Sequence, residues 1–117
     1  MLEPMIVAAL APLVEGRVFP DTAAGDTPMP FMTYQQVGGR DVVFVDGETA
    51  DKQGARVQIN VWAKSRLNAS GLIAAARAIL CGAPTFARPE GGPVSVTDPI
   101  TGFKGATQDF MIWHDTL

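Results

Sequence analysis

The segment Arg56–Ala63 alternates between polar and apolar residues, and this pattern restricts the fold more than any other feature of the chain. Its period of two predicts a strand with one face on a core. Directly after it, Arg66–Cys81 carries apolar residues at helical spacing and many alanines, which predicts an amphipathic helix. Ser65 is the expected N-cap and Gly82 the expected stop. The apolar stripe comprises Leu67, Ala69, Leu72, Ile73, Ala76, Ile79 and Leu80.

The remaining sequence predicts one more helix and several short strands. Leu2–Val14 has apolar residues in steps of three and four, with Pro12 expected to end or bend its last turn. Gly38 and Gly39 signal a turn or bulge after a strand. The other predicted strands are Arg17–Pro20, Phe31–Val37, Val42–Val45, Val94–Asp98 and Ala106–His114, the last two as an antiparallel hairpin, with loops at Asp21–Pro30 and Asp46–Gly54 and an irregular segment at Phe86–Gly92.

Strands that follow one another in runs favour an α+β fold over an alternating α/β one. The 117 residues are expected to form a single domain, residues 1–117. We expect a mostly antiparallel sheet of about four to five strands with two helices packed on one face. The other face would then carry Gln58, Asn60 and Trp62, joined by Gln35 or Gln36 and by Gln108 or Trp113. Amides and aromatics with little charge are typical of protein interfaces, although an ordinary solvated face has the same pattern.

Charge and cysteine content exclude several classes of function. The formal net charge is −3 and the basic residues are scattered singly, which argues against non-specific nucleic-acid binding. Cys81 is the single cysteine, so no internal disulfide forms, and its place in an apolar helix predicts a buried thiol. No apolar run reaches the roughly 20 residues of a membrane span, so no membrane partner is expected.

Metal and phosphate sites are not predicted. Asp46, Glu48 and Asp51 share one acidic segment, but their spacing does not match a twelve-residue calcium loop. The glycine pairs do not open a helix, as a phosphate-binding loop would. We therefore expect no cofactor and no metal.

Catalytic residues are also not apparent. His114 is the single histidine, it lies near the end of the sequence, and no nucleophile motif accompanies it. The sequence predicts a protein that is not an enzyme. A small ferredoxin-like enzyme remains an alternative, and it would need a deep pocket with polar groups around Tyr34, Trp62 or His114.

Four stretches, spread over residues 5–114, resemble a family of phage tail-completion proteins. They are Ala9–Asp21, Pro28–Gly39, Ala55–Ala63 and Gln108–Trp113. The resemblance implies a tail terminator of long-tailed, non-contractile phages or prophages. Such proteins form a hexameric ring on the finished tail tube, stop its growth and offer the surface to which the head attaches. A small sheet with helices on one side is the fold that it implies.

The resemblance also implies partners and a location. The partners would be further copies of the chain, the major tail tube protein and a head-completion or neck protein, while DNA only passes through the ring. The protein would reside in the virion tail, and in the bacterial host cytoplasm during assembly. Another neck or head–tail joining protein is the nearest alternative. Our predicted subunit or tube interface comprises Gln58, Asn60, Trp62, Arg40, Asp46, Glu48 and Asp51.

Overall fold

The structure is a computed structural model, and it describes residues 2–40 and 52–115. Within these ranges the chain forms two α-helices, one 3₁₀ turn and five strands. They are α1 (Leu2–Leu10), the 3₁₀ turn (Ala11–Leu13), β1 (Val18–Pro20), β2 (Phe31–Arg40), β3 (Lys52–Ala63), α2 (Arg66–Cys81), β4 (Arg88–Thr97) and β5 (Lys104–Asp115).

The strands form one mixed sheet in the order β1-β2-β3-β5-β4. Only the β1–β2 pair is parallel among the described strands, so the expected mostly antiparallel α+β fold is confirmed. β3 and β5 pair over their full lengths, from Lys52 with Asp115 to Ala63 with Lys104. This long ladder is the centre of the sheet, and β1 and β4 are its two edges.

Both helices lie on one face of the sheet and enclose the core. Val57, Ile59 and Val61 of β3 are fully buried, as the alternation predicts. Their partners are apolar residues of the neighbouring elements, which together exclude water and supply most of the stabilising burial. The largest of these partners are Ile6, Leu10, Met32, Ile73, Leu80, Phe110 and Ile112.

The helix α2 has the bounds that the sequence predicts. The Asn68 N–H donates to Ser65 Oγ at 3.1 Å, and the Gly82 N–H donates to the Ile79 carbonyl oxygen at 3.2 Å, so both ends are capped. The expected burial of Leu67 is wrong, because its side chain is 82% exposed. The buried stripe is centred on Ala69, Ile73, Ala76 and Leu80, and Leu67 lies nearly opposite that stripe on the helix.

Several predicted boundaries are wrong. The last three residues of the predicted Asp46–Gly54 loop, from Lys52, belong to β3, because β5 is long enough to pair with them. β4 already begins at Arg88, inside the segment expected to be irregular, and the ladder with β5 breaks only between Glu90 and Val94. The predicted strand Val42–Val45 lies outside the described residues.

Two smaller differences concern helix α1 and Cys81. α1 ends at Leu10, and Pro12 lies in the 3₁₀ turn that follows it. Cys81 is half-buried, so the expected buried thiol is only partly correct. The glycine signal at Gly38 and Gly39 is confirmed as a bulge, which lies within β2 and not after it, since the pairing of β2 with β3 shifts between Gln36 and Gly39.

Candidate functional site

The side of the sheet away from the helices carries a continuous set of polar and aromatic side chains, which we call the open face. Alternation along each strand places these residues opposite the buried set, and cross-strand partners share a face. Of the described elements, neither helix packs here. The open face comprises Phe31, Thr33 and Gln35 of β2, Arg56, Gln58, Asn60 and Trp62 of β3, Thr107, Asp109, Met111 and Trp113 of β5, and Arg88, Glu90, Val94 and Val96 of β4.

The register settles the two alternatives that the sequence left open. Gln35 pairs with Gln58 and therefore lies on the open face, whereas Gln36 pairs with the buried Val57. Gln108 pairs with Ile59 on the helix side, where it is buried and its amide donates to the Gly91 carbonyl oxygen at 3.0 Å. Trp113 is therefore the aromatic residue that β5 contributes to the open face, and it is 44% exposed.

Each tryptophan of the open face lies over a glycine of the opposite strand. Trp62 pairs with Gly105, and a Cβ built on Gly105 would lie 2.9 Å from two carbons of the Trp62 ring. Trp113 pairs with Gly54 at the other end, where a Cβ would lie 3.2 Å from the ring. Rings that cover cross-strand glycines replace missing side-chain contacts, so both tryptophans also stabilise the β3–β5 ladder.

The centre of the open face is nearly neutral. Arg56 Nε lies 2.8 Å from Asp109 Oδ2, so the two charges offset one another. Gln58 and Asn60 are half-buried, and their side chains make no hydrogen bond with the described residues. Unused amide groups beside aromatic rings are well suited to hydrogen bonding across a protein interface.

The Trp62 end of the open face is concave. The loop at residues 21–25 and the β4–β5 turn rise on either side of a cavity of about 410 Å³. Thr33, Asn60 and Trp62 form its floor, and Thr33 is buried there. Among the described residues, the open face is therefore uncovered near Trp113 and recessed near Trp62.

The structure places the predicted interface residues in two groups. Gln58, Asn60 and Trp62 lie together along β3. Arg40, at the end of β2, pairs with Gly54, so it lies on the same side of the sheet as Trp113. The other three residues, Asp46, Glu48 and Asp51, lie outside the described residues.

The enzyme alternative places its pocket around Tyr34, Trp62 or His114, and these three residues lie in separate parts of the structure. Tyr34 lies beside α1 on the helix side, where its hydroxyl donates to Glu3 Oε1 at 3.2 Å. Burial first, and then this hydrogen bond and the charges of Glu3 and Asp21, raise the pKa of Tyr34. Trp62 is on the open face, and His114 is at the far end of β5 beside Gln53. The described ranges hold no group of three or more His, Cys, Asp or Glu residues placed to bind a metal.

Sequence reasoning missed part of the open face and one polar cluster. Phe31, Met111 and the Arg56–Asp109 ion pair were not predicted, although the alternation of β5 carried the signal for Met111. The cluster of Tyr34, Glu3 and Asp21 has no local signal, because three separate elements supply it.

The described residues form a small α+β fold whose nearly neutral open face carries aromatic side chains of the kind enriched in protein interfaces. None of the described helices combines the length and hydropathy required to cross the bilayer. The family model for tail completion protein gp17 matches residues 5–115, and the chain belongs to this family. No curated protein matches the sequence.

Family membership makes the protein a structural component of phage tails. The resemblance drawn from the sequence is confirmed over nearly the whole chain. A tail-completion protein works with other tail and head proteins of the virion, so contact surfaces are its functional sites. The open face is the most extensive candidate among the described residues.

Proposed function

We propose that this protein forms a ring on the end of the phage tail tube, ends tube growth and offers the surface to which the head attaches. The observation that carries the proposal is the family match along residues 5–115. The partners are further copies of the chain, the tube protein and a head-completion protein. Assembly takes place in the host cytoplasm, and DNA passes through the ring without specific binding.

The open face supports a role in this assembly. Burial of its neutral centre at Gln58 and Asn60 removes little hydration of charged groups. Burial of an isolated charge would cost much more free energy. Trp62 and Trp113 add rigid aromatic area, the kind that dominates binding energy in protein interfaces. We propose that the open face is buried on the tube or on a neighbouring subunit. Arg40 and the predicted acidic residues Asp46, Glu48 and Asp51 would contribute to the same contacts.

A tube-growth experiment tests this proposal. Purified tube protein is allowed to polymerise with and without this protein, and tube lengths and end structures are measured by electron microscopy. We expect capped tubes that stop growing and that then attach filled heads. Tubes of unchanged length without caps would exclude the proposed function, and binding to heads alone would indicate a neck protein instead.

One substitution and a matched control test the open face. Asn60→Arg places a long cation in its centre, and Asn68→Arg makes the same change on the exposed side of α2. Both variants should melt close to the wild type, because neither side chain is part of the core. Only Asn60→Arg should fail to cap tubes. Normal capping by both variants would show that the open face is not an assembly surface.

A further inference from the structure

A cavity of about 280 Å³ opens at the β1 edge of the sheet, beneath α1. β1 pairs with β2 only from Met32 to Tyr34, so the outer edge of β2 is left open beyond that point. We call this cavity the edge socket. Its lining includes Glu3, Ile6, Asp21, Tyr34, Gln36 and Val57.

The lining of the edge socket suits a long cationic side chain. Ile6 and Val57 are fully buried and make an apolar floor, while Glu3 and Asp21 place carboxylates at the rim. Neither carboxylate forms an ion pair with a described residue. Arginine and lysine carry an apolar stem below a charged head, which matches this order of floor and rim. The socket has a volume of about 280 Å³, which is large enough to receive one such side chain.

Unpaired cations lie on the opposite flank of the helix layer. Leu72 and Asn68 face the residues that lead into β2, since they line a groove with Met29 and Pro30. Each helical residue advances by about 100°, so Arg66 and Arg77 lie on the other flank, toward β5 and β4. Arg77 is exposed and makes no ion pair with the described part of the chain.

Arg77 also lies at the level of the edge socket along the strand direction. α2 begins at Arg66, directly after β3 ends at Ala63, and it runs back along the strand. Arg77 is therefore about 16 Å from the start of the helix, which corresponds to about five strand residues. This places it level with Val57 and Gln58, and Val57 forms the floor of the socket.

We propose that Arg77 of one copy enters the edge socket of the next copy, where Glu3 and Asp21 receive its guanidinium group. A ring needs such a contact, in which one surface of a subunit meets a different surface of its neighbour. The inference rests on the ring proposed above and assigns the pair of edges that closes it. Opposite charges on opposite edges also orient the subunits head to tail and exclude reversed pairing.

Charge reversal in trans tests this contact. Arg77→Glu and Glu3→Lys should each weaken ring formation about tenfold or more, as measured by light scattering and by capping of tail tubes. In a one-to-one mixture of the two variants, an intact Arg77 meets an intact Glu3 at one junction. At the next junction the two substituted side chains meet, and their charges are again opposite. The mixture should therefore recover assembly, which no folding defect of the separate variants would allow.

Arg66→Glu is the matched control, since it makes the same change on the same flank about three helical turns away. Rings from Arg66→Glu together with none from Arg77→Glu would support the contact. Rings from Arg77→Glu, or a mixture that stays unassembled, would overturn it and leave the proposed function standing. A wild-type protein that neither forms rings nor caps tubes would reject the proposed function itself. Melting curves verify that each variant is folded, and Arg77→Gln, with the charge removed but not reversed, should weaken assembly less than Arg77→Glu.

Discussion

Replacing Gly105 with alanine tests whether the Trp62 end of the open face is a rigid surface. A Cβ at this position would lie 2.8 Å from the Val61 carbonyl oxygen and 2.9 Å from the Trp62 ring. The carbonyl belongs to β3 at its pairing with β5, so it cannot move without disturbing the ladder. Extra volume in such a packed place typically costs about 1–3 kcal/mol of unfolding free energy.

The expected change is large enough for a melting experiment. An unfolding entropy of roughly 2.1 cal/mol/K per residue means that each kcal/mol shifts the Tm of a chain of this size by about 4 °C. We therefore expect Gly105→Ala to lower the Tm by about 4–12 °C. Calorimetry or circular dichroism measures this shift, and tryptophan fluorescence reports the displacement of the Trp62 ring.

Gly71→Ala is the matched control and should act in the opposite direction. Gly71 lies within α2, and apart from its chain neighbours and the backbone of its own helix, a Cβ there would meet no described atom within 4 Å. Alanine is favoured over glycine in a helix by roughly 0.5–1 kcal/mol, so the Tm should rise by about 2–4 °C. An unchanged Tm for Gly105→Ala, or equal losses in both variants, would refute the packing of Trp62 on Gly105.

Three further predictions concern the polar cluster, the helix cap and the core. The raised pKa of Tyr34 means that the unfolded chain loses its phenol proton at a lower pH than the folded chain does. The stability that the protonated phenol gives the folded chain is therefore complete below pH 10.0 and is lost as pH rises through the folded pKa. Tyr34 is the single tyrosine, so an absorbance titration reads it directly, and Tyr34→Phe should flatten the alkaline fall in Tm. Ser65→Ala removes the cap of α2 and should lower the Tm by about 4 °C, and no change would argue against the cap. Phe110→Ala empties a fully buried site and should cost about 3–5 kcal/mol in chemical denaturation, whereas a loss below about 1 kcal/mol would contradict its place in the core.

Much of the fold was predictable because its signals are local. The alternation in Arg56–Ala63 and the apolar spacing in Arg66–Cys81 each depend on neighbours a few residues away, and both elements are confirmed. The boundaries at Lys52 and Arg88 were not predictable, because pairing with β5 extends both strands beyond their own sequence pattern. Leu67 is a different case, because its position nearly opposite the buried stripe follows from the 100° step of a helix and could have been inferred from the sequence.

The sequence by itself determined that one face of β3 is buried and that Gln58, Asn60 and Trp62 lie on the other. Tertiary structure alone decided what surrounds these residues. Register between distant strands put Trp62 over Gly105 and chose Gln35 over Gln36. The edge socket likewise exists only where α1, β1 and β2 meet, because its polar groups are far apart in the chain and share no local pattern.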